Sequence, residues 1–135
     1  MQRSQIVPNN TYHMTDTARD HLKKAVRETS KTWGMRQARR YNDDFLEGLQ
    51  YIADNHRSLH SPHRNELADG TGFSIHLVEH RYVVFQEHDK NTVIIAGIFH
   101  ENMDIPTRLK ELQGLARHEI DAIKRGIVRT KGVEN

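Results

Sequence analysis

The chain has no cysteine, so disulfides and thiolate chemistry are both excluded, and nothing argues for export to an oxidising compartment. It has three prolines in 135 residues and a single tryptophan. No apolar run approaches the roughly 20 residues needed to cross a bilayer. The opening Met1-Gln2-Arg3-Ser4-Gln5 is polar and leads into no signal-peptide core. These absences imply a cytoplasmic protein. A marked excess of one charge is missing too, since 20 Lys plus Arg face 18 Asp plus Glu. Proteins held to nucleic acid chiefly by phosphate contacts carry a plainer basic surplus. The ten histidines are what could raise the charge at mildly acid pH.

What is present fits one domain over residues 1–135, with no repeat and no low-complexity tract. Ile6-Val7 and Tyr12-His13-Met14 are extended candidates separated by the turn-like Pro8-Asn9-Asn10. Thr15-Asp16 offers an N-cap, because either side-chain oxygen can accept from the free amides of a following first turn. Behind it Ala18, Leu22, Ala25, Val26, Thr29 and Trp33 recur at helical spacing, and Gly34 ends that helix. Ala38, Tyr41, Phe45, Leu46, Leu49, Ile52 and Ala53 form the stripe of a second helix, so close behind that the two make an αα-hairpin. Asp54-Asn55 and the stretch from His56 to Pro62 read as a flexible polar loop.

From residue 72 the apolar period changes from 3.6 to 2. Phe73, Ile75 and Leu77 alternate with Ser74 and His76, the pattern of a strand with one buried face. Tyr82 to Phe85 and Val93 to Phe99 are denser runs suited to interior strands, and the short polar links predict an antiparallel meander. After Pro106, Leu109, Leu112, Ala116, Ile120, Ile123 and Ile127 form a narrow seam on one further helix over 106–127. The fold expected is α+β: an N-terminal strand, an αα-hairpin and a three-stranded antiparallel meander completing a small sheet, plus a C-terminal helix. The seam has two readings, packing within the chain or a homodimer, and the first is preferred.

Four stretches in this order resemble the RelE/ParE superfamily of toxins. Tyr12-His13-Met14-Thr15 with Ala18 and Leu22 is similar to the family's opening; Trp33-Gly34, Gln37-Ala38 and Tyr41 are similar to its helix–helix corner. His80 with Tyr82 to Phe85 resembles the third-strand entry, and Ile98 to Asp104 resembles the close of ParE-like members. The resemblance covers residues 12–104 and says nothing of the helix from Pro106. It implies the toxin of a type II toxin–antitoxin system, neutralised by an antitoxin whose tail covers a groove between helices and sheet. ParE-like toxins bind DNA gyrase and trap it on cleaved DNA without a hydrolytic site. RelE-like toxins cut messenger RNA on the ribosome with residues on the open face of the sheet. Met103-Asp104 favours the ParE branch, so non-catalytic inhibition of gyrase is the leading expectation. Messenger-RNA cleavage is the alternative, and a non-toxic regulatory member a third. No cofactor is implied.

RNA cleavage by 2′-OH attack needs a base, an acid and a cation beside the phosphate. His76 on the outward face of the second strand, Arg81 at the start of the third and His100 at the end of the fourth are the candidates. Against them, a solvated strand face carries polar residues in any case. Phe73 stands where the resemblance leads one to expect an arginine, and Arg64 is the nearest substitute. His56, His60 and His63 fit no strong zinc template and lack acidic company, so no metal is expected. The partner-binding candidates are Trp33, Arg36, Gln37, Arg40, Tyr41, Met103 and Asp104, although core packing is the favoured role for Trp33 and Tyr41. Arg39, Lys23-Lys24 and Arg27 are cations that could meet an acidic antitoxin tail.

Overall fold

The computed structural model describes residues 10–59, 67–68 and 70–134, with side chains through residue 127. The expected strand at Ile6-Val7, the turn at Pro8-Asn9, and His60, His63 and Arg64 lie outside the described residues. Strand β1 (Thr11–Met14) leads into helices α1 (Asp16–Trp33) and α2 (Met35–Asn55). A 3-10 turn (His56–Ser58) follows, then β2 (Ser74–Val78), β3 (Arg81–Asp89), β4 (Thr92–His100), α3 (Ile105–Leu115) and α4 (Arg117–Glu134). The strands form one sheet in the order β1-β4-β3-β2, antiparallel through the meander and parallel where β1 joins β4.

Local chemistry sets the element ends. Thr15 is the N-cap of α1: its hydroxyl oxygen accepts from the Ala18 amide at 3.0 Å and its hydroxyl donates to the Ala96 carbonyl at 3.0 Å. One buried side chain therefore caps a helix and ties it to β4. Gly34 separates α1 from α2 with φ +91° and ψ 169°, a region that is essentially glycine's alone. Gly48 serves a different end. A Cβ there would come within 2.5 Å of a Val78 methyl, so its lack of a side chain is what lets α2 lie close against β2. In the β2–β3 turn, Glu79 (φ 48°) and His80 (φ 66°) are both left-handed, as a two-residue loop matched to strand twist requires.

The sheet is covered on both faces. Under the α1–α2 hairpin lie Val83, Phe85, Val93, Ile95 and Ile98, packed with Leu22, Phe45, Leu49 and Ile52. Across the sheet lie Ile75, Val84, Ile94 and Ala96, packed with Ile105, Leu109, Leu112, Ala116 and Ile120. The C-terminal seam from Leu109 to Ile120 thus packs within the chain. It belongs to two helices rather than one, broken at Ala116 just after Gly114, whose backbone freedom weakens the last turn of α3. Glu119 of α4 clasps the start of α1: its carboxylate oxygens accept from the Thr17 amide and the Thr17 hydroxyl, each at 2.8 Å.

Two expectations are corrected by packing. Trp33 is 72% exposed at the hairpin apex rather than in the core, because the helix crossing leaves both sides of Gly34 beyond the reach of the sheet. Asp54-Asn55 continue α2, and His56 is buried rather than part of a flexible loop, donating from its ring Nε2 to the Lys90 carbonyl at 3.0 Å. His76 is half-buried on the hairpin side of β2, where the Tyr51 ring stacks on the imidazole at 5.9 Å.

Candidate functional site

An open groove of about 690 Å³ is lined by the two hairpin helices and the end of β1. Met14, Leu22, Val26, Met35 and Ala38 give it an apolar floor. Arg19, Lys23 and Arg27 of α1 stand along one wall and Arg39 of α2 along the other, with Asp43 as the one acidic residue among the lining. The arrangement follows from helical period. Residues at 19, 23 and 27 recur every turn on α1, beside the inward stripe of Ala18, Leu22 and Ala25. Met35 is 60% exposed at the groove's end. An elongated apolar trough flanked by cations matches an amphipathic acidic segment laid along it. The cations were legible in the sequence. Met14 and Met35 as floor were not, because one comes from a strand and the other from the first turn of the neighbouring helix.

A second crevice, of about 380 Å³, opens between α1, the end of β4 and α3. Met103 lines it and is itself exposed, together with His21, Lys24, Phe99 and Arg108. His21 is half-buried; its Nδ1 accepts from the Ile98 amide at 3.0 Å, and its ring lies 5.0 Å from that of Phe99. Burial holds its pKa below the usual 6.5, with Lys24 pushing the same way and the Asp20 and Glu119 carboxylates opposing. The neutral ring therefore carries its proton on Nε2. Asp104 sits at the N-cap of α3, where its Oδ2 accepts from the Thr107 hydroxyl at 2.8 Å.

The remaining candidates are dispersed. Arg36, Gln37 and Arg40 are exposed on α2. Tyr41 is half-buried, its hydroxyl accepting from Arg81 Nε at 3.0 Å, and burial raises its pKa above 10.0 despite the Arg81 charge. Arg81 also faces Glu28 at 3.5 Å. Strand register pairs Arg81 with His100 and His76 with Val83, so all three residues of the proposed cleavage trio fall on the face beneath the hairpin. His100 Nδ1 accepts from the Asn102 amide at 3.1 Å. Helices α3 and α4 pack on the opposite face of the sheet, and His76, Arg81 and His100 are each half-buried. Phe73 is half-buried against that second core.

A family model described as ParE toxin of type II toxin-antitoxin system, parDE, matches residues 12–105. The chain is 27% identical over 100 residues to Toxin ParE of Escherichia coli, a match covering 74% of this chain and 93% of that protein. It is similar in fold to a chain of the chromosomal ParDE TA system from P. aeruginosa, with a TM-score of 0.53 and 16% identity. That likeness covers 68% of this chain and 96% of the other. The family match ends where α3 begins, so the helices closing the second sheet face lie beyond it.

Proposed function

The chain belongs to the ParE toxin family of type II toxin–antitoxin systems, and from that premise we propose that it inhibits DNA gyrase without hydrolytic chemistry and is silenced by an antitoxin tail lying in the hairpin groove. The observation that carries the antitoxin half is the groove itself. Its floor would cover the apolar face of an amphipathic helix, anchored at i, i+3 or i+4, and i+7. Acids on that helix's flanks would meet Arg19, Lys23, Arg27 and Arg39. Exposed ion pairs contribute little individually, about 0–1 kcal/mol. The floor therefore sets affinity, and the cations set orientation and association rate.

Two measurements test the two halves. Val26→Lys places a charge on the floor and is expected to weaken antitoxin binding by about 2 kcal/mol or more in calorimetry. Charge reversal of Arg19 and Lys23 is expected chiefly to slow association and flatten its salt dependence. Retained nanomolar binding by Val26→Lys would remove the groove from the reading. For the target, purified protein is expected to inhibit gyrase supercoiling and to accumulate a cleaved-DNA complex. Absence of both effects, with transcript cleavage detected by primer extension instead, would replace gyrase by messenger RNA.

A further inference from the structure

We infer that the apex of the helical hairpin, Trp33 with Arg36 and Arg40, is a binding surface for single-stranded DNA. The near-neutral total hides a segregated charge. Residues 19–40 carry eight of the 20 Lys plus Arg and two of the 18 Asp plus Glu, leaving twelve cations against sixteen acids elsewhere. Of those two acids, Glu28 is already held by Arg81. Arg36, Arg39 and Arg40 are exposed and make no ion pair or side-chain hydrogen bond among the described residues. The first turn of α2 has no acidic residue and no side-chain cap, which leaves its amide end positive as well.

The chain's single tryptophan stands in this field, 72% exposed where α1 ends. Indole is large and usually well covered, so its exposure beside unpaired arginines points to a ligand that offers both a flat ring and negative charge. An unpaired nucleotide offers both: the base stacks on the ring while guanidinium groups take the phosphates. An acidic peptide would satisfy the arginines and leave Trp33 with nothing to stack on. Trp33, Arg36 and Arg40 also stand outside the lining of the groove whose apolar floor suits a helix. Duplex DNA presents phosphates but keeps its base faces stacked, which excludes the ring. The choice of DNA over RNA rests on the gyrase reading above; the stacking-and-phosphate surface does not.

Because Trp33 is the sole tryptophan, intrinsic fluorescence reports on the site directly. An oligothymidylate of about 15 nucleotides is expected to quench it. Affinity should fall with salt, each phosphate contact contributing about 0.7 to the slope for a single strand. Arg36→Gln with Arg40→Gln is expected to weaken binding about tenfold at low salt and to take about 1.4 off that slope. With labelled oligothymidylate followed by anisotropy, Trp33→Ala is expected to lose about tenfold, and Trp33→Phe to recover most of it. Unchanged far-ultraviolet circular dichroism and melting temperature in these variants show that they are folded. Three outcomes overturn the proposal: no quenching at low salt, variants that bind as the parent does, or tighter binding of a duplex, an oligouridylate or a polyglutamate peptide. Gyrase inhibition is read in a separate assay. Its loss with oligothymidylate binding intact removes the functional reading and leaves the strand-binding surface standing.

Discussion

At the scale of single residues, His21 couples stability to pH. Its neutral ring accepts the Ile98 amide between α1 and β4, and burial keeps its pKa below 6.5. Between that depressed value and 6.5 the unfolded chain binds more protons than the folded one. The stabilisation is therefore complete above about pH 6.5 and is lost as pH falls through this window. His13 is shifted in the same direction, first by burial and then by His88 and Arg19. Melting temperature is expected to fall between pH 6.5 and 5. His21→Asn, whose carbonyl oxygen can still accept the amide, should flatten part of that decline. An unaltered profile in the variant would show that His21 is not the group responsible. Gly34 is a backbone case: nothing lies within 4 Å of a Cβ built there, yet its φ of +91° is hostile to any L side chain. Gly34→Ala is expected to cost about 1–3 kcal/mol in urea unfolding, with no steric contribution.

At the scale of elements, the decisive relation is between α4 and α1. Glu119 supplies two charge-assisted hydrogen bonds at a helix N-terminus, where amides are free and the helix dipole favours an anion. Glu119→Ala is expected to cost about 1–2 kcal/mol. Hydrogen exchange should rise in α4 and the first turn of α1 and leave the meander unaffected. Exchange raised equally throughout the protein would mean that the clasp is part of global stability rather than a local fastening. The pairing of strands with helices was legible from periods of 2 and 3.6. The break at Ala116 was not, because Leu112, Ala116 and Ile120 keep helical spacing on both sides of it.

At the scale of the whole molecule, the sheet carries two cores, and the second depends on residues outside the family match. Removing everything after Asp104 would expose Ile75, Val84 and Ile94, each contributing about 1.5–3 kcal/mol through burial. Their sum is comparable with the about 5–15 kcal/mol by which a domain of this size is stable. The truncated chain is therefore expected to aggregate or to lose its cooperative melt. A soluble truncation melting within a few degrees of the full chain would show that the extension is an accessory rather than half of the core.

The sequence by itself determined the elements and their order, because capping, hydrophobic period and turn chemistry are local and are written within a few residues of where they act. Thr15, Gly34 and the alternation around Ile75 are examples. It also carried enough of the family's pattern, from Tyr12 to Asp104, to identify a ParE-like toxin. What only the tertiary structure decided is which faces remain for partners. Trp33 satisfies the spacing of a core residue and is exposed, because the hairpin overhangs the sheet there. His76 satisfies the spacing of a solvent-facing residue and is half-buried, because the hairpin lies on its side of the sheet. Period tells which residues share a face; only the packing of distant segments tells whether that face is covered. The near balance of charge is likewise a sum over the chain, and the fold places a basic part of it together on the hairpin.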